Sequence, residues 1–357
     1  MTESIRKIGG VAVASQKKIS GVERGSVEKV AGVKSTYGTF AFTIETAGAD
    51  TFTLPLGTSS TYKFDMIVSW GDGEADSTIT AYDDADKTHS YAEAGTYTVT
   101  LKGKCEYFAF NAAGDVTLMK TLTSFSEDIG LRTLNFKGCS NLTTLCSLGK
   151  LESLTNGEFL FSNCSSITTI PENLLDGCTA LTYFRYSFRY CTSLEAIPAG
   201  LLEYNVSICL LTSIFMGCSD AALTTIPADL FRYNTSVITF EDAFYSCNKV
   251  TAIPNGIFDY NTNATNVYRC FYACTGLVNV LDGTMFANCE IDNIGAAFYN
   301  CNGLTGSGWG DGNTPDETPD TIIYNAEHQS TPPSVIDGCF QSCSSLTDAG
   351  SIPVAWR

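Results

Sequence analysis

Apolar and polar positions follow three rhythms along the chain. Between residues 35 and 103 they alternate, in Phe40-Ala41-Phe42-Thr43-Ile44, Thr51-Phe52-Thr53-Leu54, Tyr62 to Trp70 and Tyr97-Thr98-Val99-Thr100-Leu101. Alternation over β-branched and aromatic residues predicts half-buried strands, and the turn residues between them predict a small β-sandwich. From about residue 104 the rhythm lengthens into a repeat. The pattern F-x-x-C occurs eight times, at Phe136/Cys139, Phe161/Cys164, Phe188/Cys191, Phe215/Cys218, Phe244/Cys247, Phe271/Cys274, Phe298/Cys301 and Phe340/Cys343. Successive cysteines lie 25, 27, 27, 29, 27, 27 and 42 residues apart. The third rhythm occupies residues 1–34, where Lys7-Ile8-Gly9-Gly10-Val11, Lys18-Ile19-Ser20-Gly21-Val22 and Lys29-Val30-Ala31-Gly32-Val33 return at a step of 11.

The long repeat predicts a solenoid over residues 104–357, with about eight coils of 27 residues. One such unit cannot bury its own apolar face, whereas stacked units bury each other's and align equivalent side chains into ladders. An aliphatic residue usually follows three positions after each cysteine (Leu142, Ile167, Leu194, Val250, Leu277, Leu304, Leu346), and four units continue to Ile-Pro. The Leu-Thr-x-Ile piece reads as a short strand, ended by a proline that opens a tight turn. Cysteine is small and tolerates burial, so the thiols read as structural. A zinc or catalytic role is disfavoured, because the repeat holds no C-x-x-C pair and no adjacent histidine. The last interval exceeds the repeat by 15 residues, which predicts a loop leaving the stack near residues 306–333. Its Trp309 is a candidate surface contact for a partner or sugar ring, with a fold-back over the last coil as the alternative.

Charge separates the first rhythm from the rest. Residues 1–34 carry seven Lys/Arg and three Glu, a net +4, whereas the whole chain of 357 residues is at −17. The glycines in each repeat disfavour a helix, and the segment has too little apolar surface for a core of its own. It reads as an extended basic arm that orders against a partner, with Lys7, Ile8, Val11, Lys18, Ile19, Val22, Lys29, Val30 and Val33 as its docking residues. A floppy tail is the alternative, and the strict periodicity argues against it.

Two acidic turns, Asp72/Glu74/Asp76 and Asp83/Asp84/Asp86, make calcium conceivable, but neither has the spacing of a twelve-residue calcium loop. Solvated turns are the preferred reading, and His89 reads as a hydrogen-bonding residue rather than a ligand. Only two histidines, His89 and His328, are present, which limits His-based metal sites and triads. The acidic body disfavours nucleic acid, and no apolar run reaches the ~18 residues of a membrane helix. No secretory signal is visible in MTESIRKIGG, so the fifteen cysteines are expected to be reduced thiols of a chain made in a cytoplasm.

Three resemblances join these readings. The pairing of Trp70-Gly71-Asp72-Gly73 with His89-x-Tyr91-x-x-x-Gly95-x-Tyr97-x-Val99-x-Leu101 resembles a PKD domain, an immunoglobulin-like sandwich of adhesive proteins. The F-x-x-C-x-x-L-T-x-I-P repeat resembles the BspA-like leucine-rich repeats of bacterial surface proteins, which implies adhesion and protein contact. The basic repeats resemble the N-terminal segments of tailed-phage virion proteins. Together they imply a mainly β chain in three parts: arm 1–34, sandwich 35–103 and solenoid 104–357.

The expected function is non-enzymatic: a virion surface protein of a tailed bacteriophage, a capsid decoration protein or fibre. Its arm would dock on capsid or tail proteins, and its modules would contact host-surface glycan or protein or neighbouring subunits, as a homo-oligomer. A bacterial cell-surface adhesin is the alternative. A glycan hydrolase using two carboxylates is disfavoured because no motif points to it.

Overall fold

A computed structural model of the chain describes residues 6–8, 11–13, 38–219, 223–278, 285–286, 288–305, 332–346 and 354. The chain forms two compact units, Met1–Tyr37 and Gly38–Arg357. Strands β1 (Arg6–Ile8) and β2 (Val11–Val13) of the first unit pair antiparallel, with Ile8 opposite Val11 across Gly9-Gly10. Short extended pieces are what the glycine-rich repeat predicts.

The second unit is mainly β, and no α-helix occurs among the described residues. Its strands are β3 (Thr39–Thr46), β4 (Asp50–Thr53), β5 (Phe64–Ser69), β6 (Ser77–Ile79), β7 (Thr88–Tyr91), β8 (Gly95–Cys105), β9 (Tyr107–Ala109), β10 (Met119–Phe125) and β11 (Thr133–Asn135). Five form an antiparallel sheet in the order β10-β3-β8-β5-β6, and β4 pairs with β7 in a separate antiparallel ribbon. Alternation puts Phe40, Phe42 and Ile44 of β3 and Val99 and Leu101 of β8 in the core, where Phe52 of β4 meets Phe42 at 5.7 Å between ring centroids.

The boundary expected after residue 103 falls inside β8, and β10, beyond it, is the outer strand of the same sheet. Packing is continuous there. Phe125 of β10 stacks on Phe40 at 4.2 Å, and Phe40 also meets Phe136, the first phenylalanine of the repeat, at 6.3 Å. The short parallel pair β9–β11 leads into the repeats.

From Phe136 onward the repeat phenylalanines lie in one continuous row. Consecutive centroids, from Phe136–Phe161 to Phe298–Phe340, are 5.3–5.7 Å apart, within the range of favourable offset stacking. The 42-residue interval keeps this register: Phe340 sits 5.3 Å from Phe298, and Val335 bridges Asn293. Residues 306–331, including Trp309, lie outside the described residues.

The strand expected at Leu-Thr-x-Ile does not form. Several of these pieces make an isolated backbone bond to the unit before, as in Glu195 N–H to Thr168 at 2.9 Å and Thr251 N–H to Thr224 at 3.0 Å. Pairing lies instead ahead of each phenylalanine, three residues before Phe136 and five before each of the others, where parallel single-residue bridges link Thr133, Asn156, Tyr183, Leu210, Thr239, Asn266, Asn293 and Val335 in succession. Around the phenylalanine the chain turns continuously. Residues two before and two after it have left-handed φ in unit after unit: Phe159 and Asn163, Tyr186 and Tyr190, Ser213 and Gly217, Asp242 and Ser246, Arg269 and Ala273, Ala296 and Asn300. Left-handed backbone costs a non-glycine residue roughly 1–2 kcal/mol.

Hydrogen bonding explains why the chain tolerates it. The N–H groups of Phe159, Phe161 and Asn163 donate to Arg185, Ser187 and Arg189 of the next unit at 3.0, 2.7 and 2.7 Å. The intervening N–H groups of Leu160, Ser162 and Cys164 donate within their own unit, to Gly157, Phe159 and Phe161. Alternate amides thus face the neighbouring unit, and none of the six is orphaned. At Gly217 a Cβ would also collide with the ring of Tyr190, so a side chain there would have to displace that ring.

Two polar ladders run beside the aromatic one. The thiols of Cys164, Cys191, Cys218, Cys247, Cys274, Cys301 and Cys343 donate to the phenylalanine carbonyl of the preceding unit at 2.8–3.3 Å. The amide Nδ2 of buried Asn205 donates to Leu175 and Cys178, that of Asn234 to Leu202 and Asn205, and that of Asn261 to Phe231 and Asn234. Cys289 continues this row to the carbonyl of Asn261 at 3.4 Å.

Phe215 is fully buried between two stacked rings. Phe215→Ala is expected to cost about 3–5 kcal/mol in denaturant unfolding, with the loss felt by the whole repeat region in one transition. A cost below ~1 kcal/mol would contradict the ladder.

Candidate functional site

The residues expected to act from sequence separate into three places. Lys7, Ile8 and Val11 of the docking set lie in β1 and β2, while Lys18, Ile19, Val22, Lys29, Val30 and Val33 lie outside the described residues. The eight phenylalanines and eight cysteines of the repeat are gathered into the buried ladders. The acidic turns lie in the sheet region.

In those turns Asp72 and Asp84 already have partners. Asp72 Oδ2 meets His89 Nε2 at 2.6 Å, and Asp72 Oδ1 accepts the Glu74 N–H at 3.1 Å. Burial pulls the Asp72 carboxyl upward, but the His89 hydrogen bond and charge and the Glu74 amide outweigh it and hold it below its ordinary value. The His89 ring stacks on Trp70 at 4.9 Å, and the Tyr91 hydroxyl donates to the Trp70 carbonyl at 2.9 Å. Asp84 accepts the N–H groups of Thr80 and Asp86, capping the short 3₁₀ turn Ala85–Lys87. Among the described residues, no group of three or more His, Cys, Asp or Glu is placed to hold a metal ion. No helix among them is long and apolar enough to cross a membrane.

All fifteen cysteines are free thiols, and all but Cys146 and Cys209 are buried. Burial pushes Cys146 up to about 11, and it pushes Cys178 up to about 12 with help from Asp128 and Asp176. Cys164, Cys191, Cys218, Cys247 and Cys274 are raised further, by full burial and then by the neighbouring thiols of the ladder. The thiolate is the reactive form, so this chemistry is switched off at the buried ladder thiols.

A surface that the sequence reading missed runs along the turning segments. In three consecutive units a tyrosine directly follows the ladder phenylalanine, and Tyr245, Tyr272 and Tyr299 stack at 4.6 Å with their planes 1° apart. Beside them Arg269 Nη2 holds Asp242 Oδ2 at 2.9 Å, and its guanidinium lies 4.8 Å from the Tyr268 ring centre and 5.5 Å from that of Tyr245. Asp242 is almost fully buried; desolvation raises its carboxyl against the pull of Arg269. Tyr245, Tyr268, Arg269, Tyr272 and Tyr299 border a cavity of about 470 Å³, completed by Ala296, Asp337, Gly338, Gln341 and Val354. Earlier units carry a smaller counterpart: Phe159 stacks on Tyr186 at 4.8 Å, with Lys137 over Phe159 and Arg189 over Tyr190. The signal for the larger site was the triplet Phe-Tyr-x-Cys in successive units.

A different cavity, of about 750 Å³, lies at the Asp72–His89 pair and is rich in carboxylates, with Glu74 and Glu93 on its wall. Exposed Tyr204, Tyr233 and Tyr260 form another row, with the Arg232 guanidinium 4.9 Å from the Tyr260 ring centre.

No protein-family model matches the chain, and no curated protein matches it.

A thiol reagent at pH 8 is expected to label only Cys209 and Cys146 in the folded protein, and all fifteen cysteines in denaturant. Peptide mapping that finds ladder cysteines labelled under native conditions would contradict their burial.

Proposed function

We propose that this chain is a non-enzymatic surface component of a tailed-bacteriophage particle, a capsid decoration protein or fibre. The basic arm docks on capsid or tail proteins. The body displays a PKD-like sandwich followed by a BspA-like leucine-rich-repeat solenoid. That body makes contacts with host-surface molecules or neighbouring subunits, and the assembly is a homo-oligomer.

The observation that carries this reading is the division of the chain at Tyr37. The change of unit coincides with a change of charge, from +4 over residues 1–34 to an acidic remainder, and with the end of the 11-residue repeat. A basic periodic segment separate from an acidic body has the character of an attachment device, because charges of opposite sign steer it toward a different partner. The hairpin of β1 and β2 gives its first repeat an extended form suited to pairing or winding against another chain.

The body supports a display role in another way. Its buried polar groups are largely engaged between units, through backbone amides, thiols and asparagine amides. The ladders hold the units together, and the aromatic and charged side chains of the turning segments are left for contact. Fifteen thiols without a disulfide fit assembly in a reducing cytoplasm.

Mass spectrometry of purified particles is expected to find the chain, and deletion of residues 1–34 is expected to abolish incorporation while leaving the unfolding transition of the body unchanged. Absence from particles, or recovery with the bacterial cell envelope, would end the virion reading. Incorporation retained after the deletion would end the docking role of the arm.

A further inference from the structure

We propose that the cavity beside the tyrosine ladder binds a neutral polysaccharide, through Tyr268, Tyr272, Tyr299, Arg269, Asp337 and Gln341. The inference deepens the display reading and rests on it for the origin of the glycan, a host surface.

The first argument is shape and composition. A cavity of about 470 Å³ is within the range of small-ligand sites. Its wall combines tyrosine rings with a guanidinium, a carboxylate and a primary amide. A sugar presents apolar C–H surface beside a rim of hydroxyl groups that both donate and accept. Tyrosine offers an apolar body with a polar tip, and the three planar side chains offer paired donors and acceptors that match adjacent hydroxyls. The hydroxyls of Tyr245, Tyr272 and Tyr299 donate to no described residue, and all three rings are only half-buried.

The second argument is charge. Among the described residues of the lining Arg269 is the only Lys or Arg, and Asp242 already neutralises it at 2.9 Å. Asp337 adds an exposed carboxylate. The described lining therefore has no cation to spare for a phosphate, sulfate or uronate, and the acidic body repels polyanions at longer range. A neutral hydroxylated ligand meets no such opposition.

The third argument is repetition. Equivalent tyrosines recur every 4.6 Å along the ladder, a step comparable to one hexose along an extended glycan. A polymer lying along the row meets the same group in three successive units, so a longer chain repeats one contact up to three times and strengthens binding without a new kind of site. A monosaccharide would gain only one of these contacts.

The test is affinity electrophoresis of the full-length protein in gels containing mannan, galactan or β-glucan, with anionic alginate in parallel. The expected result is retardation by at least one neutral polymer, none by alginate, and competition at least tenfold stronger by a hexasaccharide of that polymer than by its monosaccharide. Tyr299→Ala is expected to weaken retardation at least fivefold. Because it also removes a stacked ring, Gln341→Ala, an exposed side chain outside the ladder, is measured beside it and is expected to weaken retardation at least threefold. Retardation by no neutral polymer, retardation by alginate alone, or Gln341→Ala behaving as wild type would each overturn the proposal. Particle mass spectrometry separates the two ideas. A chain present on particles but not retarded keeps the display reading and removes this site. A chain retarded but absent from particles keeps the site and removes the display reading.

Discussion

The constraint on which the rest of the repeat region depends is hydrogen-bond pairing between one unit and the next. Around each ladder phenylalanine, alternate amides donate across the stack and the intervening ones close turns within the unit. This pattern needs a backbone that reverses hand twice per unit, and residues such as Phe159, Asp242 and Arg269 accept left-handed φ to supply it. A lone unit would carry that strain, roughly 1–2 kcal/mol per position, with its outward amides unpaired. A neighbour supplies the acceptors and a phenylalanine ring worth roughly 1.5–3 kcal/mol of burial in the same step. The paired units therefore depend on one another for stability.

The ladders divide the work by chemistry. Phenylalanine supplies area. The thiol of each following cysteine caps the phenylalanine carbonyl of the unit before, so Cys191 satisfies Phe161 and Cys218 satisfies Phe188. Asparagine does the same on another corner, where each Nδ2 bonds two carbonyls. Serine or alanine at the cysteine positions would bring either a stronger polar group or none, which explains why a weakly donating, apolar side chain recurs there. The same burial that makes the thiols structural removes their reactivity.

Much of this was legible in the sequence, and the limits have physical causes. The F-x-x-C period identifies the buried rows because each position repeats an identical environment. The alternation of Phe40, Phe42 and Ile44 likewise marks an inward face. The left-handed positions are invisible to residue type, because tertiary pairing places tyrosine, aspartate and arginine where a local reading demands glycine. The Leu-Thr-x-Ile piece has strand propensity but no ladder of partners, while the bridging residues Asn156 and Tyr183 have partners without strand-like sequence. Strand β10 was hidden because its sequence, Met119–Phe125, alternates poorly across two register shifts. The tyrosine ladder was readable from Phe-Tyr-x-Cys, but only its stacking turns three separate residues into one surface.

Residue-resolved hydrogen exchange tests the pairing between units most directly. The amides of Phe161, Asn163, Phe215, Gly217, Phe271 and Ala273, each donated to the next unit, are predicted to exchange only through the opening of the stack, with one shared protection factor near that of global unfolding. Fast exchange at these amides while the amides of β3 and β8 stay protected would contradict the account.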